Sequence, residues 1–437
     1  MEYDINSAES IYEFSLNLYD KTLNEAVVLP PEVVNAKNKG DLGSLVEKYF
    51  FKHVPPNNHE PDFAVAGLEL KTTGLKKDKK GEFVAKERLV LTMIDFNTIV
   101  NQDWETSSYL HKCRRMLILF YEYDKEKSSI DRKFVLKPII FEIPAEDLQI
   151  FKRDWETIRS KVRAGKAHEI SEGDTFYLGA CRKGAGGEKE SLRRQPFSEI
   201  RAPARALAIK QGYLTRLVQK NVNNSLSFLG ESNSLEIATQ KKFEKFLGMS
   251  VDEISDYFKV HKTSKNQKGF KRKLATLILS GNEEVVPELQ KAGIHMKTVC
   301  LNAKNRARES MSFPTFDFLA ITKMDWEDSS FFEKIESKFL FVVFKLGEDG
   351  IERLHKVAYW NMPYEDRNEA RRVWEDTKRR VSIDASDLPR MTESRVAHVR
   401  PKAKDGSDKA LTPQGTYHLK QCFWLNSSYI SDVIEEL

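Results

Sequence analysis

The sequence predicts a mixed α/β protein made of two tandem copies of one module, each copy a central mixed sheet flanked by helices. Three observations lead to this prediction. The chain has 437 residues, more than a single hydrophobic core usually serves. Short apolar runs of strand length alternate with amphipathic helical segments. In addition, patterns from the first half return in the same order in the second half.

The repeat is carried by four pairs of segments. They are 61–72 with 287–298, 104–112 with 326–334, 153–157 with 372–376, and Gly212-Tyr213 with Gly415 and Tyr417. The offset stays between about 200 and 230 residues, which is expected for a duplicated domain. We therefore predict a first domain over residues 1–222 and a second over residues 234–437. The stretch Asn221–Ser234 is rich in Asn, Ser and Gly and is predicted to be the linker.

The elements of the first copy are predicted from apolar spacing and turn residues. In chain order they are a helix at Gly43–Phe51, a turn at Ala66-Gly67, strands at Leu68–Thr72, Lys86–Phe96 and Met116–Tyr123, and a helix at Leu148–Val162. The Trp-Glu pair of the last helix recurs in the second copy.

The composition limits the class of protein. Hydrophobic residues make up 40% of the chain and charged residues 31%, which is typical of a globular protein and not of a disordered one. No apolar run approaches the roughly 20 residues of a spanning helix, and the N-terminus lacks a signal-peptide pattern, so we expect a cytoplasmic protein without a membrane segment. The four scattered cysteines predict reduced thiols and no zinc site.

The net charge of +5 does not by itself indicate a nucleic-acid partner. Its distribution is more informative, because Ile200–Gly230 holds five Lys or Arg residues and no acid. Such a segment is compatible with a polyanion partner, and equally with a solvated basic face.

A candidate metal site lies around Glu69. Strand periodicity puts Glu69 and Lys71 on one face and Leu70 on the other. Asp62 lies seven residues before Glu69, across the Ala66-Gly67 turn, which would bring the two carboxylates together. Converging carboxylates suit Mg2+, which activates a water for phosphodiester hydrolysis, with Lys71 placed to orient that water. The alternative is a solvated strand edge with a local ion pair.

Three further features favour the metal site over that alternative. Glu47 on the preceding helix would add a third carboxylate, and Lys112 precedes the next strand. The second copy has lost the set while keeping its surroundings: His295 stands for Glu69 and Thr276 for Glu47.

Residues 40–123 together resemble the MutH-type nucleases, a branch of the PD-(D/E)xK superfamily. The resemblance rests on the segments 39–47 (KGDLGSLVE), 61–62 (PD), 67–72 (GLELKT) and 104–108 (WETSS) with Lys112. It continues to Lys183 and reappears over residues 268–426, so it covers most of the chain.

The resemblance implies a fold, a chemistry and roles for the site residues. It implies two tandem restriction-endonuclease-like domains and Mg2+-dependent cleavage of double-stranded DNA at GATC. The two-copy, restriction-type members of the family resemble enzymes that cut both strands ahead of the G. It also implies Asp62, Glu69 and Glu47 as metal ligands, Lys71 as the catalytic lysine and Lys112 as the lysine facing the phosphate.

The second copy is predicted to be catalytically dead but able to bind DNA. Glu288 stands for Asp62, so one carboxylate of three remains, which is too few for a Mg2+ site, while Lys297 and Lys334 match Lys71 and Lys112.

The segment 398–420 resembles the DNA-reading segment of the family. The resemblance implies that Arg400, Lys402 and Tyr417 contact DNA, since lysine and arginine donate to guanine edges. Lys183 and Tyr213 occupy the matching places in copy one, although Cys181 stands where copy two has Arg400. Basic surface loops without a reading role are the alternative.

The leading hypothesis is therefore a type II restriction endonuclease. A strand-nicking repair enzyme and a non-catalytic DNA-binding regulator remain as alternatives. The second copy would be an effector that binds another DNA site, with self-association of two molecules on looped DNA, or a mimic of the partner subunit in a dimeric enzyme.

Overall fold

A computed structural model describes residues 2–34, 42–55, 60–184, 191–220, 234–261, 269–281 and 286–437. Apart from Ser234, the predicted linker Asn221–Ser234 lies outside these ranges. Residues 39–41 of the first motif also lie outside them.

The first copy contains eight described α-helices and nine described strands. The helices are Ala8–Ser15 (α1), Leu23–Ala26 (α2), Pro31–Val34 (α3), Leu42–Leu45 (α4), Phe96–Ile99 (α5), Ser108–Cys113 (α6), Ala145–Arg163 (α7) and Gln211–Lys220 (α8). The strands are Glu69–Lys77 (β1), Phe83–Ala85 (β2), Leu89–Met93 (β3), Arg115–Glu122 (β4), Ile139–Glu142 (β5), Leu178–Arg182 (β6), Leu192–Gln195 (β7), Ser198–Pro203 (β8) and Arg205–Ile209 (β9).

Within the described ranges the second copy repeats most of this order. Its helices are Leu235–Glu244 (α9), Val251–Tyr257 (α10), Phe270–Ser280 (α11), Pro287–Lys291 (α12), Phe318–Ile321 (α13), Ser330–Ile335 (α14), Tyr364–Ile383 (α15) and Ser427–Glu436 (α16). Its strands are His295–Leu301 (β10), Met311–Thr315 (β11), Lys338–Leu346 (β12), Glu352–Asn361 (β13), Ala397–Pro401 (β14), Lys409–Leu411 (β15), Tyr417–Leu419 (β16) and Gln421–Leu425 (β17).

Each copy has a mixed central sheet, as the sequence predicted. In copy one the strand order is β2-β1-β4-β5, with β1 parallel to β4 and both outer strands antiparallel. In copy two the order is β10-β12-β13, with β10 parallel to β12 and β13 antiparallel. The long helices α7 and α15 follow the last strand of each sheet, as expected from the repeated Trp-Glu pair.

A second, antiparallel sheet in each copy was not predicted. Its orders are β3-β9-β6 and β11-β17-β14, and it is accompanied by the hairpins β7–β8 and β15–β16. The register of these sheets aligns the copies, because Ile209 pairs with Leu178 and Leu89 where Leu425 pairs with Ala397 and Met311.

Two predicted elements differ from the observed ones. The strand expected at Lys86–Phe96 is present but shorter than predicted: β3 covers Leu89–Met93 and a helix starts at Phe96. The cause is Asp95, whose carboxylate accepts from the Asn97 N–H at 2.9 Å and begins the helix. The helix expected at Gly43–Phe51 is α-helical only over Leu42–Leu45 and continues as a π-helical turn over 46–50.

The two copies share the largest cluster of the hydrophobic core. The largest apolar cluster joins Phe151 and Tyr177 of copy one to Leu274 and Leu340 of copy two. Smaller clusters lie within each copy. Because both copies bury apolar side chains in this cluster, it stabilises their association.

Two further expectations concern the whole chain. All four cysteines are free thiols. Among the described residues, no helix is both long enough and apolar enough to cross a membrane.

Candidate active site

The candidate site is built on the first residues of β1. Glu69 pairs with Met116 of β4, and its side chain is buried. Lys71 follows two residues later on the same face, and its Nζ lies 2.5 Å from Glu69 Oε1. Leu70 points to the opposite side and is buried in the core. The alternation of the strand therefore presents one carboxylate and one amine to the same space.

A tight turn returns Asp62 to Glu69. The N–H of Phe63 donates to the Leu68 carbonyl at 2.9 Å, and Gly67 has a φ of 60°, which a residue without Cβ adopts without strain. As a result the Asp62 N–H donates to Glu69 Oε2 at 3.1 Å. The Leu70 N–H donates to Asp62 Oδ2 at 2.9 Å. The two carboxylates are thus adjacent and held by the backbone.

Lys112 reaches the site from α6. This helix is capped by Ser107, whose hydroxyl accepts from the Leu110 N–H at 3.3 Å. The Lys112 Nζ donates to the Glu60 carbonyl at 2.9 Å and lies 3.2 Å from Glu69 Oε2. Glu69 therefore has a lysine at each of its carboxylate oxygens.

The electrostatics of the site follow from burial and these neighbours. Burial raises the pKa of Glu69, and Lys71 opposes that rise while Asp62 adds to it. Burial is the largest single influence on the pKa of Lys71 and lowers it, but the combined effects of Glu69, Cys113 and Asp62 outweigh burial and the pKa is raised. Lys71 is therefore held as a cation beside the carboxylate.

The structure brings Asp62, Glu69, Lys71 and Lys112 together. Glu47 is half-buried on the π-helical turn after α4. Among the described residues, no group of three His, Cys, Asp or Glu side chains is arranged to hold a metal ion. The two adjacent carboxylates are hard oxygen donors and fit a hard divalent cation that keeps other positions for water and phosphate.

The correspondence between the copies agrees with the strand register. His295 pairs with Phe339 at the position where Glu69 pairs with Met116, and Lys297 follows two residues later. Glu288 is buried in α12; burial is the main cause of the raised pKa of Tyr177 in copy one and of Tyr359 in copy two, and the charge of Glu288 adds to both. It therefore faces the junction between the copies.

The expected DNA-reading residues of copy two lie on the surface. Arg400 and Lys402 are exposed, and the Arg400 guanidinium lies 4.3 Å from the centre of the Trp424 ring. Tyr417, in the hairpin strand β16, is 65% exposed. In copy one Lys183 follows β6 as Lys402 follows β14. The backbone N–H of Lys183 donates to the Ala204 carbonyl, and that of Lys402 donates to the Lys420 carbonyl.

The match between Tyr213 and Tyr417 is wrong. Tyr213 lies in α8, is 3% exposed and donates its hydroxyl to Asp147 Oδ2 at 2.8 Å. Its counterpart is Tyr429 in α16, which donates to Asp366 Oδ2 at 2.8 Å. Because burial in the core keeps Tyr213 from the surface, its position does not support the expected contact with DNA.

The acid-free segment Ile200–Gly230 is not one basic face. Its described part includes two buried cations, Arg205 and Lys210. The Arg205 guanidinium donates to the Ala180 carbonyl at 2.6 Å, and the Lys210 Nζ to the Thr175 carbonyl at 2.6 Å. These charges satisfy backbone carbonyls and are unavailable to a polyanion.

Sequence reasoning missed a cleft between the copies. A cavity of about 570 Å³ is lined by Thr73 and Lys183 of copy one and by Glu327 and Phe332 of copy two. Arg182 bridges it, with its guanidinium 3.3 Å from Glu327 Oε1. No local pattern announces this contact, because the two residues are 145 positions apart.

Comparison with known proteins agrees with this architecture. The sequence profile of the MutH family, described as DNA mismatch repair enzyme MutH, matches residues 51–154 and again residues 277–372. The fold class is thus a tandem pair of MutH-like domains.

The chain is 32% identical to the type II restriction enzyme Sau3AI of Staphylococcus aureus, across 92% of this chain and 93% of that enzyme. It is 28% identical to the DNA mismatch repair protein MutH of Shewanella woodyi, across 34% of this chain and 62% of that protein. A MutH protein of Pasteurella multocida is 27% identical over 33% of this chain and 61% of its own length. The chain belongs to the MutH-like type II restriction endonucleases, and it is a DNA endonuclease that binds double-stranded DNA.

Proposed function

We propose that this endonuclease cuts both strands of double-stranded DNA at GATC, ahead of the G, with Mg2+ bound at Asp62 and Glu69. The observation that supports the chemistry is the cluster of two adjacent carboxylates between Lys71 and Lys112. Similarity to a type II restriction enzyme across 92% of the chain supports cleavage of both strands. GATC rests on the family resemblance.

Each residue has a distinct part in the proposed chemistry. Asp62 and Glu69 would hold the metal ion, and Glu47 would join them from the helix. Bound Mg2+ would supply an activated water and stabilise charge on the phosphate. Lys71, held as a cation beside Glu69, would orient the attacking water. Lys112, fixed by the Glu60 carbonyl, would offset the charge on the phosphate.

We further propose that copy two binds DNA through Arg400, Lys402 and Tyr417 but does not cut it. The loss of Glu69 and Glu47, replaced by His295 and Thr276, supports the absence of cleavage. Such a copy would act as an effector for a second DNA site, with two molecules associating on looped DNA. The shared core supplies a physical connection between the copies. Lys183 would contact DNA in copy one.

The test of the function is digestion of a supercoiled plasmid with known GATC sites in Mg2+, with and without adenine methylation, followed by mapping of the ends. The proposal expects linear DNA and then fragments with ends ahead of the G. Only open-circular product would indicate a nicking enzyme. No cleavage together with tight binding would indicate a regulator.

The test of the site is Glu69→Ala. We expect cleavage to fall by at least about a thousandfold, as when a principal group of a catalytic site is removed, while duplex binding is retained. Glu142→Ala is the control, because Glu142 lies on β5 with its side chain 60% exposed. Cleavage by Glu69→Ala at the rate of the control would remove Glu69 from the active site.

A further inference from the structure

Copy two collects cations where copy one holds its carboxylates. His295 and Lys297 lie on one face of β10, two residues apart. The Lys402 Nζ donates to the Phe313 carbonyl at 2.7 Å, and the Lys297 Nζ lies 5.8 Å from the centre of the Phe313 ring. One phenylalanine of β11 therefore holds a lysine from the central sheet beside a lysine from the DNA-reading segment.

Two more cations face the same place from the surrounding helices. Lys334 occupies in α14 the position that Lys112 occupies in α6. Arg272 lies one turn before Thr276 in α11, and the Thr276 hydroxyl donates to its carbonyl at 3.0 Å. Burial is the main cause of the lowered pKa of both His295 and Lys297. The charges of Lys334 and Arg272 lower the pKa of each further. We call Arg272, His295, Lys297, Lys334 and Lys402 the copy-two cluster.

The positive charge of this cluster is not balanced by acids to the extent that Glu69 balances Lys71 and Lys112 in copy one. Among the described residues, neither Lys297 nor Lys402 forms an ion pair with an acid, whereas Lys71 contacts Glu69. Glu288 faces the junction between the copies. Among the described residues, Glu333 is an acid that acts on the cluster; its side chain is 61% exposed and bonds Lys334 at 2.8 Å. The copy-two cluster is therefore positive, and the half-buried cations among its members, Lys297 and Lys334, favour an anion.

The anion that fits is a phosphate of duplex DNA. Copy one would place a phosphate at this position through a metal ion, whereas copy two keeps the ammonium groups of Lys297 and Lys334 without a carboxylate at the position of Glu69. Lys402 also belongs to the segment expected to read DNA, so a duplex on that segment would bring its backbone to the cluster. We propose that copy two binds a backbone phosphate of duplex DNA directly at Lys297, Lys334 and Lys402, without a metal ion. The proposal rests on the proposed function and specifies how its second DNA site works.

The test measures binding of a fluorescein-labelled duplex to the full-length chain in EDTA, with the DNA checked for integrity on a gel. EDTA removes any contribution of a divalent ion, and the lysine variants then measure the share of binding that copy two contributes. Lys297→Ala should weaken binding about tenfold or more, alike on GATC and unrelated duplexes. It should also reduce the slope of log affinity against log salt by about 1. Lys242→Ala, an exposed lysine of α9, is the control.

Two further variants keep the test decisive. Lys334→Ala, on the partly exposed side of α14, gives the same expected loss if Lys297→Ala folds poorly. His295→Glu places a carboxylate at the position of Glu69, so binding in EDTA should fall.

Unchanged binding in EDTA by both lysine variants, or binding by the unmodified chain only with a divalent ion, would overturn the proposal. Failure of the proposed function is seen separately, as an uncut plasmid in Mg2+.

Discussion

Glu69 and His295 occupy the same position in the parallel strand pair of the two copies. In copy one the residue at this position is a carboxylate between two lysines; in copy two it is a histidine among cations. The strand register at this position is the same, and the side chains at and around it change what each site attracts. A carboxylate pair attracts a divalent cation, and a positive cluster attracts a phosphate.

The state of His295 predicts a pH dependence of stability. Burial, together with Lys334 and Lys297, lowers its pKa from 6.5 to about 4, and Glu333 opposes the shift weakly. Between these values the unfolded chain binds a proton that the folded chain does not, so stability rises with pH across that window. We expect His295→Gln to flatten the rise. Thermal unfolding of both proteins from pH 4.5 to 7 measures it, and parallel pH profiles would contradict this state of His295.

At the scale of elements, α8 of copy one packs closely on α12 of copy two. A Cβ added at Gly212 would lie 1.9 Å from the Gln290 carbonyl oxygen, which belongs to rigid backbone. The contact therefore requires glycine for close approach. This close contact explains why the second residue of α8 is a glycine.

Gly212→Ala should force the two helices apart and lower the free energy of unfolding by about 3 kcal/mol. Gly406→Ala is the matched control, because a Cβ there meets nothing within 4 Å and the residue is exposed. Chemical denaturation of both variants measures the difference. Equal stability of the two would mean that α8 and α12 do not pack as described.

At the scale of the molecule, a buried ion pair joins the copies. The Lys291 Nζ of copy two lies 3.3 Å from both carboxylate oxygens of Asp147 in copy one, which also accepts from Tyr213. Copy two has the same carboxylate, Asp366, but its cation Arg395 belongs to its own copy and has a side chain 54% exposed. The equivalent aspartates thus differ in their partners: Asp147 pairs with a cation of the other copy, and Asp366 pairs with a cation of its own copy.

These two aspartates give a matched comparison. Asp147→Ala leaves Lys291 buried without its partner and should cost about 3–5 kcal/mol. Asp366→Ala should cost about 1–2 kcal/mol, because Arg395 can turn to water. Because the core is continuous, we expect calorimetry to show one unfolding transition that Asp147→Ala shifts as a whole. Separate transitions for the two copies, with only one shifted, would contradict a shared core.

The sequence by itself determined the features that depend on local periodicity and repetition. The strand alternation placed Glu69 and Lys71 on one face, and the repeated segments identified two MutH-like copies. The correspondences of Lys297 and Lys334 also followed from the repeat, because each segment kept its spacing within one element. Boundaries were less certain where a single side chain decides them, as Asp95 does at the start of α5.

Only the tertiary structure decided which residues meet across long separations. It placed Tyr213 in the core and paired it with Asp147, although its sequence resembled a reading segment. It also joined the copies through Lys291 and gathered Lys402 beside Lys297. Sequence patterns encode the period of a helix or strand, whereas such contacts arise when packed elements bury a common surface, and no local spacing specifies that packing.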